Sequence, residues 1–393
     1  MPYSHPQFDR EFKAVCAVAR WPWDETAPAR WRELAKQLRP DELTRQAIRH
    51  GMAPLLARHL HQHGPDLLTP ALRQYAQRNA VRAQLLTHTL IELLEAFRQA
   101  GITAVSLKGP SLAMMAYGAL DARDYCDLDV LVRPEQLERA EQLCRERGFV
   151  RKLDMPVSDD EVRRFGYDWA LMREADGVMV ELHWALTVRY APVQFNRWSW
   201  WESLASQPLN GRAVAGLPPA ETLLSLCLHG SKDGWDKLKL VCDVARLLHA
   251  APALDWTRLW QLAKLLQAER LVRIGLRLAH ELLAAPLPTE LRDSLSQDAT
   301  LERPLQHLYA LLRREQSYNE TVLARHAFLV EAQPSWWSKL GYCLRYAITP
   351  GSTEWHRAAL PASLGVGYRL MRVARLTKFF GQRWLWVGTA EKS

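Results

Sequence analysis

The chain has 393 residues, of which 48% are hydrophobic and 24% charged, an ordinary composition for a soluble globular protein with ample material for buried cores. Its net charge of +8 is a mild bias that suits an anionic partner such as a nucleotide, a nucleic acid or a membrane surface. No apolar run approaches the ~18 residues of a membrane-spanning helix, no signal-peptide core is found near the N-terminus, and no CxxC pair occurs among the six cysteines, so we expect a cytoplasmic protein with free thiols.

The length exceeds the size at which one hydrophobic core usually stops growing, so we expect more than one domain. We divide the chain into a helical N-terminal region, an α/β core, a helical bundle that lines a cleft, and a basic, Trp-rich C-terminal segment. These regions span residues 1–100, 101–210, 211–332 and 333–393. The expected fold class is α+β, a mixed sheet with flanking helices embedded in helical N- and C-terminal regions.

The first region shows apolar residues at helical spacing. The stretch PDELTRQAIRHGMAPLLARHLHQHG predicts helical structure that ends at Gly64. The stretch TPALRQYAQRNAVRAQLLTHTLIELLEAFRQAG predicts one long amphipathic helix, with Thr69 and Pro70 at its start and Gly101 at its end.

The apolar periodicity then changes to that of an α/β unit. The predicted elements are, in order, a strand ITAVSL, a Lys108–Gly109 turn, a helix SLAMMAYGAL, a strand YCDLDVLV, a helix RPEQLERAEQLCRERG, a strand FVRKL and a hairpin YDWALMREADGVMVELHW. Asp176 and Gly177 are the expected turn of that hairpin. From about residue 217 the helical pattern returns.

Two acids lie on the strand CDLDVLV, whose other residues indicate burial. Asp127 and Asp129 are two residues apart, and strand periodicity directs both side chains to one face. Carboxylates held together in this way repel one another unless a positive charge neutralises them. Divalent ions that clamp a triphosphate would neutralise them, and Glu181 in VMVELHW would add a third carboxylate. The pattern predicts a site for Mg²⁺ or Mn²⁺ at Asp127, Asp129 and Glu181.

The turn that precedes these strands, Lys108–Gly109, is called the Lys-Gly turn below. A glycine between a strand and a helix lets the backbone approach a phosphate closely, and the start of a helix favours negative charge. Lys108 adds a full positive charge at this place. The turn therefore predicts a phosphate-binding element.

The segments LKGPSLAMMAYGALDARDYCDLDVLV and VELHW closely resemble the uncharacterised nucleotidyltransferase family of bacterial proteins, which has the DNA polymerase β-like nucleotidyltransferase fold. HGMAPLL, LCLHGSKDGWDKLKLVCDVARLL and LPASLGVGYRLMRVARL also resemble family segments, so the resemblance covers most of the chain. The broader superfamily usually has Gly-Gly or Gly-Ser where this chain has the Lys-Gly turn, a pair that the family shares. The resemblance implies a nucleotidyltransferase core over residues 101–210 and a metal-dependent transfer of a nucleotidyl group from an NTP.

The resemblance also implies roles for the acids. Asp127 and Asp129 match the paired metal ligands of such enzymes. Glu181 matches the third acid, which lies near the acceptor hydroxyl and can act as its base. The acceptor itself is not implied: it is a small molecule, a protein side chain or an RNA end.

On the phosphate side, Lys108 and Gly109 match the phosphate-binding turn of the family, and Ser111 would add a hydroxyl contact. Arg123 would lie in the same loop and neutralise charge on the transferring or leaving group. The alternative for Arg123 is a salt bridge to Asp121 or Asp127.

The predicted bundle carries polar residues that could form the second wall of the cleft. His229, Lys232 and Asp243 lie on or beside two consecutive predicted helices. They would contact the base, the ribose or the phosphates. The alternative is that they are polar contacts between packed helices or exposed to solvent.

The C-terminal segment YRLMRVARLTKFFGQRWLW has a basic stripe, in which Arg369, Arg372, Arg375 and Lys378 recur at three-residue steps. No acid occurs from Trp355 to Ala390. We expect residues 366–387 to contact an anionic membrane surface or RNA. The alternative is an edge helix that docks on the protein with its arginines in solvent.

The sequence leaves three functions open. The first is a Mg²⁺-dependent nucleotidyltransferase that moves NMP from an NTP onto an acceptor hydroxyl and releases pyrophosphate. The second, a metal nuclease on the same acids, gives the Lys-Gly turn no role, and VELHW lacks a lysine beside its glutamate. The third is a non-catalytic nucleotide-binding or membrane-associated partner protein.

Overall fold

The computed structural model describes residues 8–20, 27–152, 156–191, 193–194, 197, 199–313, 318–358, 360 and 364–390. The helices are α1 (Arg10–Ala19), α2 (Ala27–Ala35), α3 (Pro40–Arg49), α4 (Ala53–His63), α5 (Pro70–Gln99), α6 (Gly109–Leu112), α7 (Leu137–Arg145), α8 (Asp159–Phe165), α9 (Pro219–Lys232), α10 (Leu238–Ala250), α11 (Trp256–Leu265), α12 (Glu269–Leu283), α13 (Thr289–Gln297), α14 (Glu302–Arg313), α15 (Tyr318–Glu331), α16 (Trp336–Ile348), α17 (Ser352–Arg357) and α18 (Val366–Ala390). The strands are β1 (Ala104–Ser106), β2 (Asp127–Val132), β3 (Phe149–Arg151), β4 (Asp168–Arg173), β5 (Val178–His183), β6 (Ala205–Leu209) and β7 (Arg212–Gly216).

Strands β1 to β5 form one mixed sheet in the order β1-β2-β5-β4-β3. The β2 and β5 strands are parallel, and the other neighbours are antiparallel. This mixed sheet with flanking helices confirms the α+β fold class. A separate hairpin, β6–β7, was not predicted.

Local signals in the sequence explain the long helix α5 and the β4–β5 turn. The hydroxyl of Thr69 accepts a hydrogen bond from the backbone N–H of Leu72 and so caps the helix start. Gly101, just beyond the helix end, has a φ of +71°, which a glycine adopts without strain. In the β4–β5 turn, Gly177 has a φ of +70°, and the carboxylate of Asp176 accepts a hydrogen bond from the N–H of Val178.

Two hydrophobic cores hold the described residues together. One joins α1 to α4 with α9 to α12 and α14. The other lies between the sheet and α5, and it also takes in Trp355 and Tyr368 from the C-terminal segment. Helix α10 packs on the π-helical turn Ala113–Tyr117, which follows the Lys-Gly turn. This contact brings the bundle next to the Lys-Gly turn. The four region boundaries stay a prediction.

The C-terminal helix α18 is oriented differently from the prediction. Arg372 and Arg375 contact the buried carboxylate of Glu354 and thus face the protein. Leu370 and Val373 are exposed instead. The sequence pattern could not show this, because Glu354 lies on a different helix. Side chains from Phe379 onward lie outside the described residues.

Helix α16 also exposes one apolar face. Its exposed large side chains are Trp336, Trp337, Leu340, Leu344 and Ile348. Among the described residues, no helix combines the length and the hydropathy needed to cross a membrane.

Candidate active site

The candidate site lies where β2 and β5 run side by side. Their parallel register places Asp129 directly opposite Glu181. His183 follows Glu181 by two residues, so it lies on the same face of β5. One ligand atom from each of these three side chains lies within 4.8 Å of the others. We call Asp129, Glu181 and His183 the acid–histidine cluster, and its geometry could hold a metal ion.

Asp129 is neutralised by groups of the protein itself. Nζ of Lys108 lies 2.8 Å from Oδ1 of Asp129, and Nε2 of His183 donates to the same oxygen at 3.1 Å. Burial raises the pKa of Asp129, but the charge of Lys108 and the hydrogen bond from His183 outweigh burial and hold that pKa well below its usual range. Positive groups of the protein therefore already balance part of the negative charge at this strand.

The two carboxylates beside His183 favour its protonated form. Burial alone would lower its pKa, but the hydrogen bonds to Asp129 and Glu181 raise it to about 9. Nε2 of His183 lies 3.4 Å from Oε2 of Glu181. The imidazolium therefore connects the two carboxylates and fixes how their oxygens are directed.

Asp127 lies beside the acid–histidine cluster and not within it. It is on the same face of β2 as Asp129, one step toward the strand start, and its register partner is Met179. Burial, and next the charge of Asp129, raise the pKa of Asp127. The predicted trio of acids is thus only partly brought together, and Asp127 stays a predicted ligand.

The Lys-Gly turn packs directly against the start of β2. Gly109 has a φ of +55°, and a Cβ at that position would lie 3.4 Å from the backbone oxygen of Asp127. A side chain at Gly109 would therefore be strained. Oγ of Ser111 is buried and has no hydrogen-bond partner among the described residues. Lys108 of the turn thus contacts Asp129 of the cluster, while the nearby hydroxyl of Ser111 has no partner among the described residues.

The bundle contributes two of its three predicted wall residues to this region. The ring nitrogens of His229 on α9 lie 3.4 Å from Nζ of Lys108. Burial, and next the charge of Lys108, lower the pKa of His229 well below its usual range, so its ring is neutral. Nζ of Lys232 lies 3.4 Å from the hydroxyl of Tyr167, whose ring stacks on His183.

Asp243 and Arg123 form a buried pair away from this cluster. Nε and Nη2 of Arg123 donate to the two oxygens of Asp243, each at 2.8 Å, and the hydroxyl of Tyr117 donates to the same carboxylate at 2.7 Å. Burial lowers the pKa of Arg123, but the charge of Asp243 and its hydrogen bonds outweigh burial. The pKa is therefore raised overall, and the guanidinium stays charged. Neither Asp121 nor Asp127 is the partner, contrary to the alternative considered for this arginine. The pair links the loop before β2 to α10.

Two features of the site were not assigned from the sequence. His183 received no role from the sequence, although its spacing of two residues from Glu181 on β5 already placed both side chains on one face of the strand. The contact between Lys108 and Asp129 could not be predicted, because it depends on how the turn after β1 folds over the neighbouring strand.

Comparison with known proteins identifies a family for this chain. The sequence model described as "Uncharacterised nucleotidyltransferase" matches residues 36–284, which is more than half of the chain. A solved structure of the antibiotic-resistance factor ANT(2'')-Ia is similar at 15% sequence identity, covering 57% of this chain and 98% of that chain with a TM-score of 0.29, too low to support an argument. No curated protein matches the sequence. The family match confirms the resemblance seen in the motifs: the chain belongs to the uncharacterised nucleotidyltransferase family.

Proposed function

We propose that the protein is a metal-dependent nucleotidyltransferase that transfers NMP from an NTP to an acceptor hydroxyl and releases pyrophosphate. The observation that carries the proposal is the acid–histidine cluster beside the Lys-Gly turn. Carboxylate oxygens suit Mg²⁺ and Mn²⁺, so Asp129 and Glu181, with Asp127 as a predicted third, would hold the ion. His183 already donates to Asp129 and would orient that carboxylate.

The bound ion would neutralise charge on the phosphate oxygens of the NTP. The acceptor oxygen attacks the α-phosphorus and forms a new O–P bond, while the bond from the α-phosphorus to the bridging oxygen breaks and pyrophosphate leaves. The hydroxyl proton passes to Glu181, the most exposed acid of the cluster, with 25% of its side chain accessible. When the NTP binds, the ammonium group of Lys108 leaves Asp129 and pairs with the phosphates instead.

The test uses ATP labelled at the α- or γ-phosphate, incubated with cell lysate and Mg²⁺ or Mn²⁺. We expect the wild type to transfer only the α-label, and the labelled species identifies the acceptor class. Asp129→Asn should abolish labelling. Asp121→Asn is the matched control, because the Asp121 side chain is exposed and its carboxylate pairs with Arg58 outside the cluster; it should label normally.

The same experiment separates the alternatives. Transfer of the γ-label would show a kinase-like reaction and contradict the proposal. Binding of ATP with Mg²⁺ but no labelling of any lysate fraction would favour the non-catalytic nucleotide-binding protein. If Asp129→Asn labels the acceptor as much as the wild type does, the acid–histidine cluster does not take part in the reaction.

Contact of residues 366–387 with an anionic membrane or RNA stays a prediction, as does the cytoplasmic location. Because Arg372 and Arg375 face Glu354, such a contact would use the outer face of α18, where Leu370, Val373 and Lys378 are exposed. Replacing these three residues by Gln should reduce co-sedimentation with phosphatidylserine vesicles at low salt. Equal sedimentation of the variant and the wild type would contradict the prediction.

A further inference from the structure

A cavity of about 740 Å³ lies next to the candidate active site. Its walls come from β4, the end of α9, α15, the connection between α16 and α17, and α18. Pockets that bind small molecules usually have volumes of about 300–1,000 Å³. The cavity is therefore large enough for a second substrate.

Tyr167 connects the cavity to the acid–histidine cluster. Its ring lines the cavity and stacks on the ring of His183 with 5.8 Å between centroids. The cluster lies on β2 and β5, which are flanked in the sheet by β1 on one side and β4 on the other. β1 leads into the Lys-Gly turn, and β4 begins directly after Tyr167. The cavity and the phosphate-binding turn thus approach the cluster from opposite sides.

The part of the cavity wall formed by α18 carries two arginines that share one carboxylate, whereas Asp168 and Asp233 line another part of the wall. Nε of Arg375 lies 2.5 Å from one oxygen of Glu354, and Nη1 of Arg372 lies 3.4 Å from the other. Two guanidinium groups therefore share one buried carboxylate. Arg325, which also lines the cavity, has a carboxylate partner in Asp236 at 2.6 Å. An anionic group on a ligand would be stabilised beside Arg372 and Arg375.

Aromatic rings stand next to these arginines. Tyr190 meets Tyr346 edge to face at 5.1 Å, and the centroid of His326 lies 4.0 Å from that of Tyr346. The guanidinium of Arg372 lies over the ring of Tyr346 at 4.5 Å. Burial lowers the pKa of His326 to about 4, so its ring is neutral and does not add charge. This wall suits a planar ring held next to an anion.

We propose that this cavity binds the acceptor of the nucleotidyl transfer, and that the acceptor is a small molecule with a planar ring next to an anionic group. The ring packs against Tyr190 and Tyr346, the anion faces Arg372 and Arg375, and the reacting hydroxyl lies toward Tyr167. The basic residues that the sequence assigned to an external surface thus serve an internal ligand. The inference rests on the nucleotidyltransferase proposed above.

The test measures binding of three probes to the full chain by calorimetry: phenyl phosphate, phenol and inorganic phosphate. Phenyl phosphate has both the ring and the anion, and each of the other probes has one of them. We expect phenyl phosphate to bind more tightly than either, and saturating ATP with Mn²⁺ not to displace it. Arg372→Met should weaken phenyl phosphate at least tenfold, because a charge-assisted contact is lost. Arg345→Met, an exposed arginine of α16 outside the cavity, should leave its affinity unchanged.

A second pair of variants covers the case in which Arg372→Met does not fold. Val322→Trp narrows the cavity without removing an ion pair, and Val81→Trp adds the same ring at an exposed position of α5. Only Val322→Trp should weaken phenyl phosphate. Three outcomes would overturn the proposal: phenyl phosphate does not bind at millimolar concentration, it binds the folded cavity variants as tightly as the wild type, or ATP displaces it. Displacement by ATP would assign the cavity to the nucleotide. Failure of ATP to bind the wild type would refute the nucleotidyltransferase itself, while the probe comparison still decides the cavity.

Discussion

Two buried ion pairs, Arg123–Asp243 and Lys108–Asp129, differ in kind. Arg123 meets both oxygens of Asp243 through two hydrogen bonds, and their side chains are 5% and 1% exposed. Lys108 meets Asp129 through one contact, at 13% and 5% exposure, and His183 shares the same oxygen. A guanidinium fork fixes its partner in one geometry, whereas an ammonium is a point charge that can exchange partners. We therefore expect the arginine pair to stabilise the scaffold and the lysine pair to take part in the proposed chemistry.

The first way to test this distinction is to break the arginine pair. Arg123→Met leaves Asp243 buried without its counter-charge, and we expect the free energy of unfolding to fall by about 3–5 kcal/mol. Urea denaturation measures this loss. The double variant Arg123→Met, Asp243→Leu should recover most of it, because no unpaired charge remains. A loss under about 1 kcal/mol would mean that the pair is solvated like a surface salt bridge.

The second test breaks the lysine pair, with a smaller effect expected on folding and a specific effect on ligands. Lys108→Met should weaken ATP about ten- to a hundredfold, since a charge-assisted contact contributes about 1.5–3 kcal/mol. Adenosine affinity should not change. Without nucleotide, Mn²⁺ affinity should rise, because Lys108 no longer competes for Asp129.

Calorimetric titrations of ATP, adenosine and Mn²⁺ check these three outcomes. Lys36→Met is the control, since Lys36 is exposed directly after α2 and contacts Glu33. Equal loss for adenosine and ATP would point to a damaged fold and not to a phosphate contact. Unchanged Mn²⁺ affinity would contradict the exchange of partners.

A third effect is a pH dependence, and it concerns a buried side chain for which the described residues provide no acidic partner. Burial lowers the pKa of His50 to about 3, and its Nδ1 accepts a hydrogen bond from the backbone N–H of Leu238. Its ordinary pKa is 6.5, so below that pH the unfolded chain binds a proton that the folded chain does not. Stability is full above pH 6.5 and should fall as the pH decreases toward 3, by about 1.4 kcal/mol per pH unit from this group.

His50→Asn keeps an acceptor near the Nδ1 position and removes the titration. Denaturation at several pH values should therefore show a smaller decrease of stability for the variant between pH 6 and 4, whatever its absolute stability. Parallel curves for the variant and the wild type would mean that His50 is protonated in the folded protein too.

Local patterns predicted most of the fold and part of the site. The period change near residue 101, the Lys-Gly turn and the Asp-x-Asp strand all appear where the sequence placed them. Local patterns could not predict partners that are distant in the chain. Arg123 contacts Asp243 on a bundle helix, and Arg372 contacts Glu354 on α17, two partners that no local pattern could indicate.

The parallel register of β2 and β5 has a consequence for folding. In the sequence, α7, β3, α8 and β4 lie between these two neighbouring strands, so Asp129 and Glu181 face each other only after the whole connection has been made. A shift by one residue would bring Val180 or Leu182 opposite Asp129 and turn Glu181 to the other face of the sheet. The acids therefore remain far apart during synthesis, until the second strand has left the ribosome. If the cluster binds metal as proposed, a slow rise in Mn²⁺ affinity during refolding would follow the pairing of these two strands.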